Sequence, residues 1–256
     1  MTRYSALEVA DDGPVAVVTM NHPATRNAAD AAMHRELADV WADLAARRNV
    51  RAIVLTGAGR AFSAGGDLPR MLETQRDPEV QDEVFDEARR IVRGMTSLPQ
   101  PVVTAINGPA VGLGASLVAL SDLAVAADDA FLADPHLGVG LVPADGTAML
   151  WPMMAGLLRA KEFVLLGERV PATKALEYGL VNRVVPTSEV LPTAVELAHR
   201  LAEVPQRALE DTKRLLNAGV GQILTAALEQ ALTAERQSVT SPEHIARVQQ
   251  LVDSQP

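Results

Sequence analysis

The chain has 256 residues, of which 48% are hydrophobic and only 3% aromatic, and it carries a formal net charge of −9 and no cysteine. This length can bury one large core, which must be packed mainly with aliphatic side chains. The acidic balance argues against a general nucleic-acid-binding protein. The lack of cysteine excludes disulfides, thiolate catalysis and cysteine metal sites.

Short aliphatic runs alternate with helix-length segments in the first half of the chain. The predicted strands are residues 15–20, 52–56, 102–106, 123–127 and 130–132. This alternation predicts parallel strands joined by helical crossovers, and therefore an α/β core. Asp30 is expected to cap a helix that runs toward Arg47, and Pro78 suits the first turn of another.

After Pro186 one helical segment follows another, with breaks expected near Pro205, residues 219–221 and Pro242; Ser241 is expected to cap the last helix. One apolar stripe at helical spacing comprises Ile223, Leu224, Ala227, Leu228, Ala231 and Leu232. The stripe must be covered, either by the chain's own core or by another subunit. We therefore predict an α/β core with the active site at residues 1–190 and a C-terminal helical subdomain at residues 191–256.

No secretory signal or membrane span is expected. The N-terminal residues lack the apolar core of a signal peptide. The apolar stretch 111–127 is interrupted by Gly112, Gly114, Ser121 and Asp122, so it is better explained as a buried helix followed by a buried strand. With the absence of cysteine, this favours a cytoplasmic protein.

Two glycine-rich runs carry most of the functional information: RAFSAGGDL at residues 60–68 and INGPAVGLGAS at residues 106–116. Each follows a predicted strand and leads through glycines into a segment that can begin a helix. Glycine lets the backbone approach a ligand closely, and N–H groups at a helix start are unpaired. The two runs could therefore direct two amides at one point, which is the geometry of an oxyanion hole.

In this order and at this separation, the two runs resemble the enoyl-CoA hydratase/isomerase family, also called the crotonase family. The resemblance extends from residues 15–23 to residues 175–185. It implies a crotonase-like spiral of ββα units, and a homotrimer or dimer of trimers assembled through the C-terminal subdomain. It also implies an acyl-CoA thioester substrate, with coenzyme A as part of the substrate.

The resemblance places the two oxyanion amides on Gly66 and Leu113. For either loop alone, a tight strand-to-helix turn is the simpler interpretation; the pair together favours the hole.

The same resemblance implies that main-chain groups around Ala64, Asp67 and Leu68 hold the adenine end of coenzyme A and that Arg26 faces its phosphates. Taken as single residues, Asp67 is equally suited to cap a helix, and Arg26 to be an ordinary surface charge.

The acid and base groups differ from those that the family resemblance implies for a typical hydratase, in which two glutamates share the added water. At those two positions this chain has Ser116, expected beside the substrate, and His136. Two titratable candidates remain, His136 and Asp145. Histidine suits proton transfer by its ordinary pKa near 6.5, and Asp145 is either the working carboxylate or a helix cap. Asp134 is a third candidate or a turn residue.

Other chemistries have little support in the sequence. There is no complete dinucleotide fingerprint and no Walker motif. The five histidines show no metal-ligand spacing. We therefore expect no metal, no tightly bound cofactor, and neither nucleic acid nor a membrane as partner.

Residues 136–151 also resemble the corresponding stretch of 6-oxocamphor hydrolase, a family member that cleaves a carbon–carbon bond between two carbonyls.

Three functions therefore stay open. The first is a lyase or isomerase of fatty-acid or related acyl-CoA metabolism, in which Asp145, His136 or both move a proton while a thioester enolate is stabilised. The second is a hydrolase in which His136, oriented by Asp145, activates water. The third is an acyl-CoA-binding protein with little catalysis, suggested by Ser116.

Overall fold

The computed structural model describes residues 4–254. The strands are β1 (Leu7–Asp12), β2 (Val15–Met20), β3 (Ala52–Gly57), β4 (Val102–Ile106), β5 (Ala110–Val111), β6 (Leu123–Ala127), β7 (Phe131–Ala133), β8 (Val170–Pro171) and β9 (Arg183–Val185). The helices are α1 (Ala31–Ala45), α2 (Leu68–Arg76), α3 (Pro78–Ser97), α4 (Leu113–Ala119), α5 (Thr147–Ala155), α6 (Leu157–Leu166), α7 (Ala172–Glu177), α8 (Val190–Glu203), α9 (Gln206–Leu216), α10 (Ala218–Val239) and α11 (Pro242–Asp253).

Six strands form the main sheet in the order β1-β2-β3-β4-β6-β9. Only β1 and β2 pair antiparallel within it; the other pairs are parallel. Every residue of β3 and of β4 is buried, which explains why both strands appear in the sequence as continuous apolar runs. A smaller sheet joins β5, β7 and β8. The predicted α/β class is confirmed.

Local capping residues set several helix starts as predicted. The Asp30 side chain accepts a hydrogen bond from the Met33 amide at 2.8 Å and begins α1. Pro78 occupies the first turn of α3. The Ser241 hydroxyl caps α11 by accepting from the His244 amide at 3.1 Å.

The C-terminal helices fold back over the core of the same chain. Helix α10 packs on α3 and α5, and α11 packs on α2 and on the 3₁₀ turn at His136–Val139. The α10 stripe is therefore covered within the chain, since Leu224, Leu228 and Leu232 are buried there. The alternative in which another subunit covers this stripe is not needed.

The breaks at Pro205 and Pro242 are confirmed, and the break expected near residues 219–221 lies at Asn217, between α9 and α10. Helix α10 begins at Ala218 and continues through both glycines. A glycine inside a helix costs only about 1 kcal/mol, which the packing of a 22-residue helix can offset.

Helix α8, the first after the sheet is complete, packs along β2, β3, β4 and β6. It therefore contributes to the core of the sheet. The division of the chain at residue 190 stays a prediction. Within residues 4–254, no helix combines the length and the apolarity that crossing a bilayer requires.

Candidate active site

The two glycine loops lie side by side. The Ser63 amide donates to the Pro109 carbonyl at 3.1 Å, and the Val111 amide donates to the Ser63 carbonyl at 2.9 Å. Gly65 has φ +91°, and a Cβ added to it would lie 3.0 Å from the Val111 carbonyl oxygen. Gly112 also has a positive φ, of +53°. Glycine at these two positions lets the loop backbones touch without strain.

Gly66 and Leu113 directly follow these glycines, and both line one inner cavity of about 130 Å³. Leu113 is the first residue of α4, where an N–H has no acceptor within the helix. In residues 4–254, neither the Gly66 nor the Leu113 amide donates a hydrogen bond to another protein group. Both donors are therefore available to a ligand in the inner cavity.

His136 lies beside two carboxylates. Its Nδ1 is 2.6 Å from Oδ1 of Asp134, and its Nε2 is 3.9 Å from Oδ2 of Asp145. Asp134 is fully buried and also accepts from the Thr147 hydroxyl and from the His136 amide. The His136 ring is thus oriented by its hydrogen bond to Asp134. This corrects the hypothesis that Asp145 orients the ring.

Asp145 lies two residues before the first residue of α5 but does not cap this helix, because the N-cap residue is Gly146. Asp145 instead accepts a hydrogen bond at Oδ1 from the Ser116 hydroxyl, at 2.7 Å. Asp145 lines the inner cavity, whereas Ser116 is fully buried behind it and forms part of neither cavity wall. Ser116 therefore acts on the site only by holding Asp145.

Burial alone would lower the pKa of His136. The charge of Asp145, the hydrogen bond and charge of Asp134, and the charge of Glu235 outweigh burial and raise the pKa of His136 to about 10. Burial raises the pKa of Asp134, but its bonds to His136 and Thr147 bring the net pKa below the ordinary value. At neutral pH the ring is therefore an imidazolium, and not the neutral base expected from its ordinary pKa.

A larger groove of about 800 Å³ adjoins the inner cavity. The two share Gly66, Asp67, Met71, His136 and Leu141. All four predicted coenzyme A contacts, Arg26, Ala64, Asp67 and Leu68, line this groove. Asp67 is also the N-cap of α2, accepting from the Arg70 amide at 3.3 Å.

The sequence did not point to four ionisable residues of the inner cavity: His34 on α1, Arg70 on α2, Glu235 on α10 and His244 on α11. They come from four separate helices, so no local motif unites them. One signal was present, because Glu235 falls at helical spacing between the buried residues Leu232 and Val239. Among residues 4–254, no group of three or more His, Asp or Glu side chains forms a potential metal site.

The parallel-rich α/β fold and the paired glycine loops agree with the resemblance to the crotonase class of enzymes, and the comparisons with known proteins show that class. Residues 11–253 match the family model described as Enoyl-CoA hydratase/isomerase. The fold is similar to that of an enoyl-CoA hydratase/isomerase from Mycobacterium paratuberculosis, with a TM-score of 0.95 and 42% identity over 97% of this chain and 99% of that chain.

Two further relatives differ in the reaction for which they are named. The 1,2-epoxyphenylacetyl-CoA isomerase of Escherichia coli strain K12 is 34% identical over 84% of this chain and 83% of its own length. A β-diketone hydrolase from Anabaena sp. PCC 7120 superimposes with a TM-score of 0.84 and 28% identity, covering 93% of this chain and 96% of that chain.

The chain belongs to the enoyl-CoA hydratase/isomerase family, as the glycine loops predicted. It is an acyl-CoA-processing enzyme of the lyase or isomerase type. Because the similar proteins differ in reaction, family membership alone leaves the particular reaction open.

We expect Asp134→Asn to lower the pKa of His136 from about 10, because the carboxylate that accepts from Nδ1 is lost. A histidine NMR titration measures this directly, with His199→Gln, which removes an exposed ring paired with Asp12, as control.

The same substitution should change the pH dependence of stability. A raised pKa means that His136 stabilises the fold fully below its ordinary pKa of 6.5 and loses this contribution as the pH rises to about 10. The difference in unfolding free energy between wild type and Asp134→Asn should therefore shrink across that window. A difference that stays constant would contradict the assignment.

Proposed function

We propose that the Gly66 and Leu113 amides form an oxyanion hole for the thioester carbonyl of an acyl-CoA, and that Asp145 moves the proton on the adjacent carbon. The observation that carries this proposal is that two unpaired amides and one carboxylate line the same small cavity. Donors fixed on the cavity wall stabilise the developing enolate without reorganising.

The surroundings of Asp145 and His136 suggest which group accepts the proton and which serves as the acid. Ser116 occupies Oδ1 of Asp145, which leaves Oδ2, the oxygen nearer His136, to accept a proton. His136 is protonated at neutral pH, so it serves as the acid or as a positive charge beside the enolate. This pairing favours an isomerase or lyase that transfers a proton over hydration by two glutamates.

The groove that adjoins the cavity is the proposed site of coenzyme A. Its wall includes backbone around Ala64 and Leu68 for the adenine end and the Arg26 guanidinium for a phosphate. No tightly bound cofactor is required, since coenzyme A enters as part of the substrate. The proposed setting is fatty-acid or related acyl-CoA metabolism in the cytoplasm. The absence of cysteine is compatible with that reducing compartment.

A second function is favoured by one specific likeness. The Anabaena β-diketone hydrolase was crystallised with (S)-3-oxocyclohexyl acetic acid. In a related reaction of this chain, Asp145 would accept a proton from water that attacks one of two carbonyls, and the carbon–carbon bond between them would break. The electrons of that bond would form an enolate, which His136 could protonate.

We further propose a homotrimer or dimer of trimers. Several large apolar side chains remain exposed on α5, α6 and α9: Met153, Leu157, Leu158, Leu165, Leu166, Leu215 and Leu216. The paired exposed leucines on α6 and on α9 favour a protein–protein contact. The proposed interface therefore uses these helices in place of the α10 stripe.

Replacing Leu113 with proline removes the proposed oxyanion N–H at the first position of a helix, where proline is tolerated. We expect kcat to fall about 10²- to 10³-fold. Leu113→Ala, which shortens the side chain but keeps the amide, should lose far less. Unfolding curves of both variants establish that the fold is retained; a folded Leu113→Pro enzyme with wild-type kcat would exclude this amide from the reaction.

Asp145→Asn should lower turnover about 10²- to 10⁴-fold, because amide oxygen is a poor proton acceptor. A panel of enoyl-CoA thioesters and free β-diketones, followed by mass spectrometry in H₂¹⁸O, separates the two candidate functions. Thioester isomerisation without ¹⁸O supports the first, and ¹⁸O in a cleaved diketone supports the second. Asp128→Asn, an exposed change, is the control; coenzyme A binding without turnover by the wild type would oppose both.

Introducing a charge at Leu158, which is 83% exposed, should break the proposed assembly. Sedimentation should give three or six times the chain mass for the wild type and a smaller species for Leu158→Glu. Gln237→Glu, on the exposed side of α10, should leave the mass unchanged. A monomeric wild type would refute the proposed assembly.

A further inference from the structure

The inner cavity is small. Its volume is about 130 Å³, and a cavity of about 150 Å³ holds one benzene molecule. An acyl fragment of about six non-hydrogen atoms fits such a space, whereas an extended long fatty chain does not. The size of the cavity therefore points to a short or compact acyl group.

The wall of the cavity is mostly apolar but also carries ionisable side chains. These are His34, Asp67, Arg70, His136, Asp145, Glu235 and His244. Placing a purely apolar chain against such groups removes them from water without replacing their hydrogen bonds, which costs free energy. The ionisable groups on this wall therefore favour an acyl group that carries oxygen.

Most of these groups already have protein partners. The His34 ring is 2.7 Å from Glu87, and the terminal nitrogens of Arg70 contact Glu73 and Glu83. His244 Nδ1 is 2.7 Å from the Val139 carbonyl oxygen. Because a carbonyl can only accept, this nitrogen carries the proton of the neutral ring.

Glu235 differs from these residues. In the described part of the chain, its carboxyl group has no hydrogen bond or ion pair within bonding distance, although its backbone carbonyl accepts from Ser238. An unpaired polar group on a cavity wall is available to recognise a ligand. Glu235 is therefore the wall residue best placed to bind a polar atom of the substrate.

The charges around Glu235 favour its protonated form. Burial raises the pKa of Glu235; His136 opposes this, Asp145 and Asp134 add to it, and the result is about 8. The His34 ring and the Arg70 guanidinium, also on the wall, contact other glutamates. His244 supplies no positive charge, because burial lowers its pKa. At neutral pH Glu235 is thus mainly a carboxylic acid, which can donate a hydrogen bond.

We propose that Glu235 is a specificity-determining residue whose carboxyl group donates a hydrogen bond to a second oxygen of the acyl group. The preferred substrates are then short acyl-CoA thioesters with an oxo or hydroxyl group beyond the thioester carbonyl. This inference rests on the proposed function, since it takes the thioester oxygen to lie at the Gly66 and Leu113 amides. The second oxygen would meet the wall built by α10.

The test compares the binding of 3-oxobutyryl-CoA and butyryl-CoA at pH 7 by calorimetry, with thioester integrity checked by mass spectrometry. The wild type should bind the oxo compound about five- to tenfold more tightly, as expected for one hydrogen bond. Glu235→Gln keeps a donor and should keep the preference. Glu235→Leu should lose the preference yet still bind butyryl-CoA, and Gln237→Leu, an exposed change on the same helix, should match the wild type.

A pH series gives a test that does not depend on the folding of Glu235→Leu. Above pH 8 the wild type should lose its preference as Glu235 ionises, while Glu235→Gln should keep it at the same pH. Equal binding of both thioesters by the wild type at pH 7, or a preference retained in folded Glu235→Leu, overturns this inference and leaves the proposed function intact. Failure to bind either thioester overturns both.

Discussion

The contact between the loop after β3 and the loop that leads into α4 is the constraint on which the site depends. A Cβ on Gly65 would approach the Val111 carbonyl oxygen to 3.0 Å, and Gly65 and Gly112 both adopt positive φ. A larger residue at either position would push the loops apart or strain the backbone. With the loops in contact, the next amide of each loop borders one cavity, and the parallel strands fix both loops at the same end of the sheet.

In the acid/base cluster, Asp145 supplies a carboxylate although Ser116 stands at a position where the family resemblance implies one. Ser116 stands where the family resemblance implies a glutamate, and its hydroxyl holds Asp145, which comes from the start of a different helix. A carboxylate therefore reaches the cavity by another route. His136, at the second glutamate position, is clamped by Asp134 and made cationic by its neighbours. In the proposed function the cluster combines one proton acceptor with one proton donor, which suits proton transfer better than activation of water by two bases.

The sequence was sufficient for features encoded by consecutive residues. The strands at 15–20, 102–106 and 123–127 have the predicted bounds because each is a buried aliphatic run. The caps at Asp30 and Ser241 were predictable because an N-cap bonds to amides only a few residues away. Strand β1 was missed because its sequence, LEVADD, places acidic residues on an exposed edge. The strands β5 and β8 have two residues each, too few to show a period.

The properties of the candidate site were less accessible, since they arise between distant residues. The pKa of His136 depends on carboxylates from three different segments, of which Asp134 alone is a near neighbour in sequence. The orienting role of Asp134 required the position of Thr147, which completes its hydrogen bonds. No spacing rule in the sequence carries this information, because burial and charge in the folded chain set it.

The C-terminal helices connect the fold to the chemistry of the cavity. The same face of α10 that buries Leu228 and Leu232 in the core presents Glu235 at the cavity wall, three residues beyond Leu232. Among residues 4–254 no hydrogen bond holds this carboxyl group, so its place on the wall depends on the packing of α10. Because Glu235 and His136 influence each other's pKa, a shift of α10 would alter both the polar wall and the charge of the acid. In the proposed function, helix packing and proton transfer are in this way coupled through one electrostatic cluster.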